Sequence, residues 1–525
     1  MLGFLIMKKI EFIIIISFLL ILTFVNCYWI VKNTTPPGWD DADYLAASES
    51  IYQSANINLE SLLKASVHVL QRRPPLIAYA TLPIYLIFGS SSFQIALIEN
   101  LLWLFLFYIF FYLLIKDKFN QKVAVMSLLI TTTMPLFYGL LRHFFVEFGL
   151  MTITVIWVYF LYKTEHLTNK KYLLILGFIT GLGILMKLTF PFYISGFLFL
   201  EALQFFRRKP KLPEFFVSLV FFLIPALIAV PWYANNLLVV LWHAKRSLDP
   251  FVLQQYYYGS PFALRVFFLT TLDIINYVIT WYYFGFALVL ILWVIIKKRI
   301  KGSSYLLIST FPPTFFSIFS PNKDYRLLLP IVPLFGLTIA YLLWKQFKEK
   351  SLFYFPIILL LPTFIFLNVS VPSLFVIKKF SIGPVLIIDN RIGLYSYRPD
   401  STYWPTEEIV KFINNISPNN RKRTVLTTSE IKEFNINNLR YYAIKNESNL
   451  NFKSIAYSGI TYSNAMTAIK DADYILELNP PDRNFQQKNL DVYKDITLKI
   501  NWEKIDNSFN FPGNYKLVIY KNSQF

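Results

Sequence analysis

Cysteine is almost absent from this chain: of 525 residues only Cys27 carries a thiol. A lone thiol excludes an intrachain disulfide framework and any cysteine-based metal site. Histidine is nearly as scarce, with four scattered residues. Of these, His143 near Glu147 is the one weighed as a metal ligand, and no metal is assigned to it. Charge is sparse too, at 15% of residues against 55% hydrophobic. No internal repeat or low-complexity linker is evident, and transporters of several folds are built on such repeats. The net charge of +19 suggests nucleic acid at first, but the basic residues fall in short clusters between apolar runs. That placement marks cytoplasmic loops of a membrane protein rather than a nucleic-acid groove.

What is abundant is hydrocarbon. Mean hydropathy is +0.47, and apolar runs long enough to cross a bilayer recur as far as Val371. The first run has Lys8 and Lys9 before it and no small-x-small cleavage signal after it, so it reads as an uncleaved signal anchor. Basic clusters follow at 116–122, 163–171, 206–211, 297–301 and 345–350. Placing all of them in the cytoplasm predicts crossings near 11–31, 93–115, 122–141, 147–162, 172–188, 189–206, 214–234, 276–296, 303–319, 327–344 and 352–371. The apolar piece 74–89 is left over. It is short and contains Pro83, and a crossing there would put every later basic cluster outside, so it reads as interfacial or re-entrant. The expectation is a polytopic helical protein of the plasma membrane with about eleven or more spans, interfacial helices in the first outer loop and a cytoplasmic N-terminus.

The tail changes character. From about Lys378 apolar residues thin out and Asn, Lys, Asp and Ser take over. "TEEIVKFINNI" has helical spacing with Thr406 as a plausible N-cap, while "RTVLTTS", "ADYILEL" and "NYKLVIY" read as strands. The chain therefore divides into a membrane domain, 1–377, and a small extracytoplasmic α/β domain, 378–525.

Ionisable residues near outer helix ends are functional candidates, because charge at membrane depth is costly unless paired or hydrated. They are Asp40, Asp41 and Asp43 in "GWDDADY", Arg72 and Arg73 in "QRRPPL", Arg142, His143 and Glu147 in "RHFFVEFG", Lys187 in "GILMKLTF", and Asp324 and Arg326 in "NKDYRLLLP". The bland reading of any one of them is a structural ion pair or a snorkelling side chain. As a set they are expected on one membrane face, acids to one side and cations to the other. Such a set suits transfer of a group from a lipid-linked phosphate. A carboxylate takes the proton of an acceptor hydroxyl, and fixed Arg and Lys stabilise the departing phosphate.

Rival motifs weigh less. "DAD" (41–43) matches the D-x-D of nucleotide-sugar enzymes, but no nucleotide-binding α/β domain surrounds it. "GFITGLG" (177–183) has small-residue spacing for helix packing rather than for cradling phosphate. The residues before Cys27 make a poor lipobox, and its thiol is expected to be buried.

"GWDDADYLAASESIY", "RRPPLIAY", "RHFFVEFGLMTITVIWVYFLY", "GFITGLGILMKLTFPFYI", "IPALIAVPWYANNL" and "DYRLLLPIVPLFGLTIAYLL" occur in that order. Over about residues 10–345 this ordered set resembles the GT-C glycosyltransferases related to bacterial aminoarabinose transferases and protein O-mannosyltransferases. The tail's "NNLRYYA" is also similar to that group's outer domain. The resemblance implies a GT-C fold and a polyprenyl-monophosphate sugar donor. It also implies inversion at the anomeric carbon on the outer face. By position it assigns catalytic roles to Asp40 (the first-loop acid), Asp41 (where Glu is usual) and Glu147 (where Asp is usual). Arg73 (in place of Lys), Lys187 and Arg326 become the phosphate ligands, with Arg72, Arg142, His143 and Asp324 as additional candidates. No cofactor is assigned, and a divalent cation at Asp40/Glu147 is left open. The acceptor is a lipid, glycan or protein, within membrane lipid and without nucleic acid. The alternatives are a transporter or flippase for a lipid-linked glycan, and a polysaccharide polymerase or ligase.

Overall fold

The computed structural model describes residues 9–247, 259–260, 262–297, 312–315, 317, 319–372, 379–417, 421–456, 462–480, 502–505 and 509–523. Helix α1 (Lys9–Lys32) is followed by three helices in the first loop: α2 (Trp39–Ile57), α3 (Leu59–His68) and α4 (Leu76–Phe88). The bundle continues with α5 (Phe93–Ala96), α6 (Ile98–Lys118), α7 (Gln121–Thr132), α8 (Pro135–Leu140), α9 (Val146–Lys163) and α10 (Lys170–Met186). Then come α11 (Phe190–Arg207), α12 (Leu212–Ala226), α13 (Val230–Arg246), α14 (Leu264–Asp273), α15 (Thr280–Ile296), α16 (Val332–Phe347) and α17 (Ser351–Ser370).

Among the described residues, five helical segments are long and apolar enough to cross a membrane, or six if one bent pair counts as a span. Two of them, Leu212–Arg246 with 35 residues and Tyr325–Ser370 with 46, are longer than a single crossing requires. The latter holds two of the crossings predicted from sequence, 327–344 and 352–371. Those predicted over 122–141 and 172–188 fall on α7 and α10, whose 12 and 17 residues do not qualify by length alone. The one at 276–296 is broken. A π-turn over Ile274–Val278 and a positive φ of 70° at Thr280 bend the chain by 111° between α14 and α15. The predicted crossing 303–319 lies largely outside the described residues.

Helix packing follows the small residues. A Cβ on Gly177 of α10 would meet the backbone carbonyl of Phe222 on α12, and one on Gly181 would sit 3.1 Å from that of Ala226. "GFITGLG" therefore brings two helices into backbone contact, as its spacing predicts. Cys27, expected to be buried, is only half-buried.

After Ser370 come two short hairpins, β1 (Phe380–Ile382) with β2 (Val385–Ile388) and β3 (Arg391–Ile392) with β4 (Ser396–Tyr397). A five-stranded sheet follows, with helices α18 (Thr406–Ile416), α19 (Ile436–Lys445) and α20 (Tyr462–Lys470). Its strands are β5 (Arg423–Thr427), β6 (Leu450–Ser454), β7 (Tyr474–Asn479), β8 (Trp502–Ile505) and β9 (Lys516–Asn522), in the order β6-β5-β7-β9-β8. Strand β5 runs parallel to both neighbours, with Val425 opposite Phe452 and Tyr474. Such pairing needs helical crossovers, and α19 supplies the one between β5 and β6. Thr406 is not the N-cap of α18. Pro405 holds that position, and the Thr406 hydroxyl instead donates to the Glu433 carbonyl at 3.0 Å.

Candidate active site

The three aspartates of the first loop lie in the opening turns of α2, where acids suit the positive helix end. Neighbouring helical positions point in different directions, whereas i and i+3 share a face. Asp40 and Asp43 accordingly turn together toward Arg73, while Asp41 turns away to His143, whose Nδ1 lies 2.9 Å from Asp41 Oδ2.

Arg73 sits in the turn between α3 and α4, pinned by its backbone N–H on Leu70 O at 2.7 Å and followed by two prolines. Its Nη2 donates to Asp40 Oδ1 at 2.8 Å, and its guanidinium carbon lies 5.3 Å from the centre of the Tyr44 ring. Arg72 reaches Asp43 at 3.4 Å, nearer to solvent.

Glu147 and Lys187 meet because α9 and α10 are antiparallel neighbours joined by a short connection. Glu147 is in the first turn of α9, and Lys187 is the residue that caps the end of α10. Each suits the dipole at its helix end. Lys187 Nζ donates to Glu147 Oε1 at 2.5 Å.

Arg326 closes the set. It lies in a 3-10 turn, Tyr325–Ile331, capped by Asp324, whose Oδ1 accepts from Arg326 N at 3.1 Å. Its Nη2 donates to Asp40 Oδ2 at 2.7 Å, and its Nε lies 2.8 Å from Asp324 Oδ2 and 3.5 Å from Glu147 Oε1. The ring of Phe145 lies beneath the guanidinium at 4.8 Å. The result is one unbroken chain, Arg73–Asp40–Arg326–Glu147–Lys187, drawn from five separate segments.

Acids and cations alternate along this chain. The expectation that acids would lie to one side and cations to the other is therefore incorrect. Glu147 is buried and the other four are partly buried, and charges drawn out of water are held by contact with their opposites. Burial on its own would raise the Asp40 carboxyl, but Arg73 and Arg326 outweigh it and hold the group well below the usual carboxylate range. Burial pushes Asp324 up, with Arg326 opposing.

Arg142 stands apart. It is 2% exposed, donates from Nε to Asn26 Oδ1 at 2.7 Å and from Nη2 to Ser370 Oγ, and lies among the rings of Trp29, Tyr138 and Phe366. It ties α1 to α17 rather than joining the ion chain. His143 borders the site through its ring, stacked on Phe145 at 5.5 Å. Between Asp40 and Glu147, where a divalent cation was left open, stands the Arg326 guanidinium. Among the described residues no group of three or more His, Cys, Asp or Glu is placed to hold a metal.

Sequence reasoning missed several supporting residues. Tyr395 donates from its hydroxyl to Asp324 Oδ1 at 2.9 Å. Lys432 bonds the Tyr397 hydroxyl at 2.9 Å, and Asn437 bonds the Trp39 carbonyl at 3.0 Å. These come from the tail, whose sequence gives no sign of reaching back to the first loop. Glu99 was findable. It heads an apolar helix, is 2% exposed, and accepts from Thr81 and Trp103 at 2.5 and 2.8 Å.

A helical membrane fold with a partly buried ion chain and a strand-rich tail defines the class. The family model described as dolichyl-phosphate-mannose-protein mannosyltransferase matches residues 72–233. No curated protein matches the sequence. Among solved structures, ArnT from Cupriavidus metallidurans in the apo state superposes with a TM-score of 0.57 at 14% identity, covering 96% of this chain and 97% of that one. The same protein bound to undecaprenyl phosphate gives 0.57 at 14%, covering 96% and 98%. The oligosaccharyltransferase AglB from Archaeoglobus fulgidus, in complex with an inhibitory peptide and a dolichol-phosphate, gives 0.51 at 12%, covering 96% and 74%. The chain has a membrane-protein fold similar to that of ArnT and AglB, and its residues 72–233 are similar to the mannosyltransferase family.

Proposed function

We propose that this chain is a glycosyltransferase that moves a sugar from a polyprenyl monophosphate to an acceptor hydroxyl on the extracytoplasmic face, inverting the anomeric carbon. The observation that carries the reading is the ion chain itself. Arg73 and Arg326, remote in sequence, converge on Asp40, and Lys187 joins them through Glu147, in a largely apolar protein.

Arg73, Lys187 and Arg326 hold the donor phosphate, the two arginines through paired N–H donors. The acceptor oxygen forms its bond to the anomeric carbon from the face opposite the phosphate. The C–O bond to phosphate breaks with its electron pair staying on the phosphate oxygen, and the acceptor's proton passes to Asp40. Negative charge grows on the phosphate as this happens, and prepositioned cations stabilise it without reorganising. Glu147 holds Lys187 and Arg326 in place. An apolar cleft lined by Phe111, Val158, Tyr193, Phe197, Pro330 and Leu334 gives the prenyl chain a path, since the Tyr193 hydroxyl donates to Leu327 O at 2.7 Å, next to Arg326. The support from relatives is that one solved neighbour binds undecaprenyl phosphate and another dolichol-phosphate.

The test is transfer by purified protein across a panel of polyprenyl-phosphate pentoses and hexoses. Envelope extracts from a strain lacking the protein serve as acceptor. Incorporation of sugar that depends on Asp40, Arg73 and Lys187 is expected. A blank across the panel from folded protein would count against an enzyme and in favour of a lipid-glycan transporter.

A further inference from the structure

Asp40 carries two duties that conflict. As a base it must present a free oxygen to the acceptor, yet both its oxygens are taken, Oδ1 by Arg73 and Oδ2 by Arg326. The arginines are engaged at the same place, since the Nη2 hydrogen that each directs at Asp40 is the one a phosphate standing there would take.

We propose that in the donor-free enzyme Asp40 occupies the place of the donor phosphate, and that an incoming monophosphate displaces it from Arg73 and Arg326, thereby freeing it to act as the base. The inference rests on the assignment above of the two arginines as phosphate ligands.

Geometry supports the exchange. One carboxylate oxygen meets each guanidinium, at 2.8 and 2.7 Å, and two oxygens of a phosphate can meet the same two donors. The arginines do not depend on Asp40 to stay in place. Arg73 keeps Asp43 at 3.5 Å from Nη1 and the Tyr44 ring alongside. Arg326 keeps Asp324 at 2.8 Å and Glu147 at 3.5 Å, both on Nε, with Phe145 beneath. Removal of Asp40 therefore leaves two positioned guanidinia with open Nη2 donors. Arg73 Nη1 is also buried without a hydrogen bond, a further donor for the third oxygen that the phosphate gains when the sugar leaves.

The exchange fixes an order of events. While the arginines hold Asp40 its basicity is suppressed, so a hydroxyl that arrives first is not activated. Once phosphate neutralises the arginines, the carboxylate regains its affinity for a proton. Donor binds first, and acceptor chemistry waits for it.

The test is titration of purified, detergent-solubilised protein with undecaprenyl phosphate, followed by tryptophan fluorescence and by thermal unfolding. Asp40→Asn removes the competing charge but keeps the shape, and it should bind the lipid about tenfold more tightly than wild type while losing transfer. Asp40→Glu, which retains the competitor, should stay near wild-type affinity. Asp43→Asn should gain less than about threefold, because it removes a similar charge without vacating either Nη2. Should Asp40→Asn fail to fold, Asp40→Ser takes its place. Unchanged or weaker binding by the neutral variant beside normal wild-type binding overturns the exchange alone. An equal gain in Asp43→Asn overturns it too, by reducing the effect to bulk charge. Wild-type protein that ignores undecaprenyl phosphate, or binds it undiminished in Arg73→Ala, overturns the phosphate assignment itself.

Discussion

Asn437 of α19 donates its side-chain amide to the backbone carbonyl of Trp39, the residue that immediately precedes Asp40, at 3.0 Å. The contact is one of several. Trp39 Nε1 donates to Glu430 O at 3.2 Å, Gln53 Nε2 donates to Ile444 O at 2.7 Å, and Gly38 packs against Lys432 so closely that a Cβ there would overlap it. The tail thus grips α2 at its start and again near its end, and α2 is the helix that presents the proposed base. Asn437→Leu is expected to lower turnover roughly fivefold, the loss of about 1 kcal/mol from one hydrogen bond, with helix content unchanged by circular dichroism. Equal turnover with an unchanged melting curve would show that the tail only rests on the loop.

The arginines should tolerate lysine unequally. At Arg73, lysine keeps the charge but loses the forked geometry, so Arg73→Lys should fall between wild type and Arg73→Ala, with alanine costing about 1.5–3 kcal/mol in kcat/KM. Arg326 bridges Asp40, Asp324 and Glu147 through two different nitrogens, which a single ammonium cannot do. Arg326→Lys should therefore lose nearly as much as Arg326→Ala. The comparison is made per folded molecule, after gel filtration. A lower melting temperature with turnover intact would mean structural pairing instead.

The pH dependence has a defined sign. Arg73 and Arg326 hold the folded Asp40 carboxyl below its unfolded value of about 3.9. Its ion pairs are therefore fully present above that pH and are lost only as pH falls through the folded value. The kcat/KM profile for donor, which reports the free enzyme, should show no acid limb from Asp40 above about pH 4. Under saturating donor the two arginines face phosphate, and the acid limb of kcat should appear about 1–3 pH units higher. Coincident limbs would mean that donor does not relieve Asp40.

Glu49 offers a stability test away from the chemistry. Burial raises its carboxyl, with Ser90 and then Lys445 opposing; Oε1 accepts from Ser90 at 2.9 Å, and Oε2 is buried without a hydrogen bond. A folded value above the unfolded one means that stability is lost as pH rises through that interval. Glu49→Gln keeps the acceptor for Ser90 and removes the charge. It should stabilise the detergent-solubilised protein by about 1 kcal/mol, more at pH 8 than at pH 5, read as melting temperature.

Sidedness is checked with cysteine reporters in a Cys27→Ser background. Ser401, exposed in the tail, and Arg208, exposed after α11, are predicted on opposite faces. A membrane-impermeant maleimide applied to intact cells should label Ser401→Cys and spare Arg208→Cys. The reverse pattern would turn the proposed orientation over.

Much of this architecture could be read from composition, because a bilayer demands long apolar helices and the chain obliges. Candidate residues were legible for the same reason. Asp40, Glu147, Lys187 and Arg326 are conspicuous as charges beside hydrocarbon. Their pairing was not legible, since sequence distance says nothing about Arg326 reaching back to Asp40. Sequence also gave no warning of the break at Thr280, which depends on a positive φ at an ordinary threonine. The docking of α19 on α2 was hidden in the same way, in polar residues that look like any solvated helix face.

The order in which the ion chain's members emerge from the ribosome matters for how the protein is made. Asp40 and Arg73 come early and Glu147 and Lys187 next, while Arg326, which joins the two halves, arrives only after most of the bundle has been threaded into the bilayer. A nascent chain released before residue 326 would hold two separate ion pairs and no bridge between them. Quality control acting on unsatisfied charge in the membrane would therefore meet Asp40 and Glu147 each one guanidinium short in any product that ends between Lys187 and Arg326, and would meet a completed network only in chains that reach Arg326.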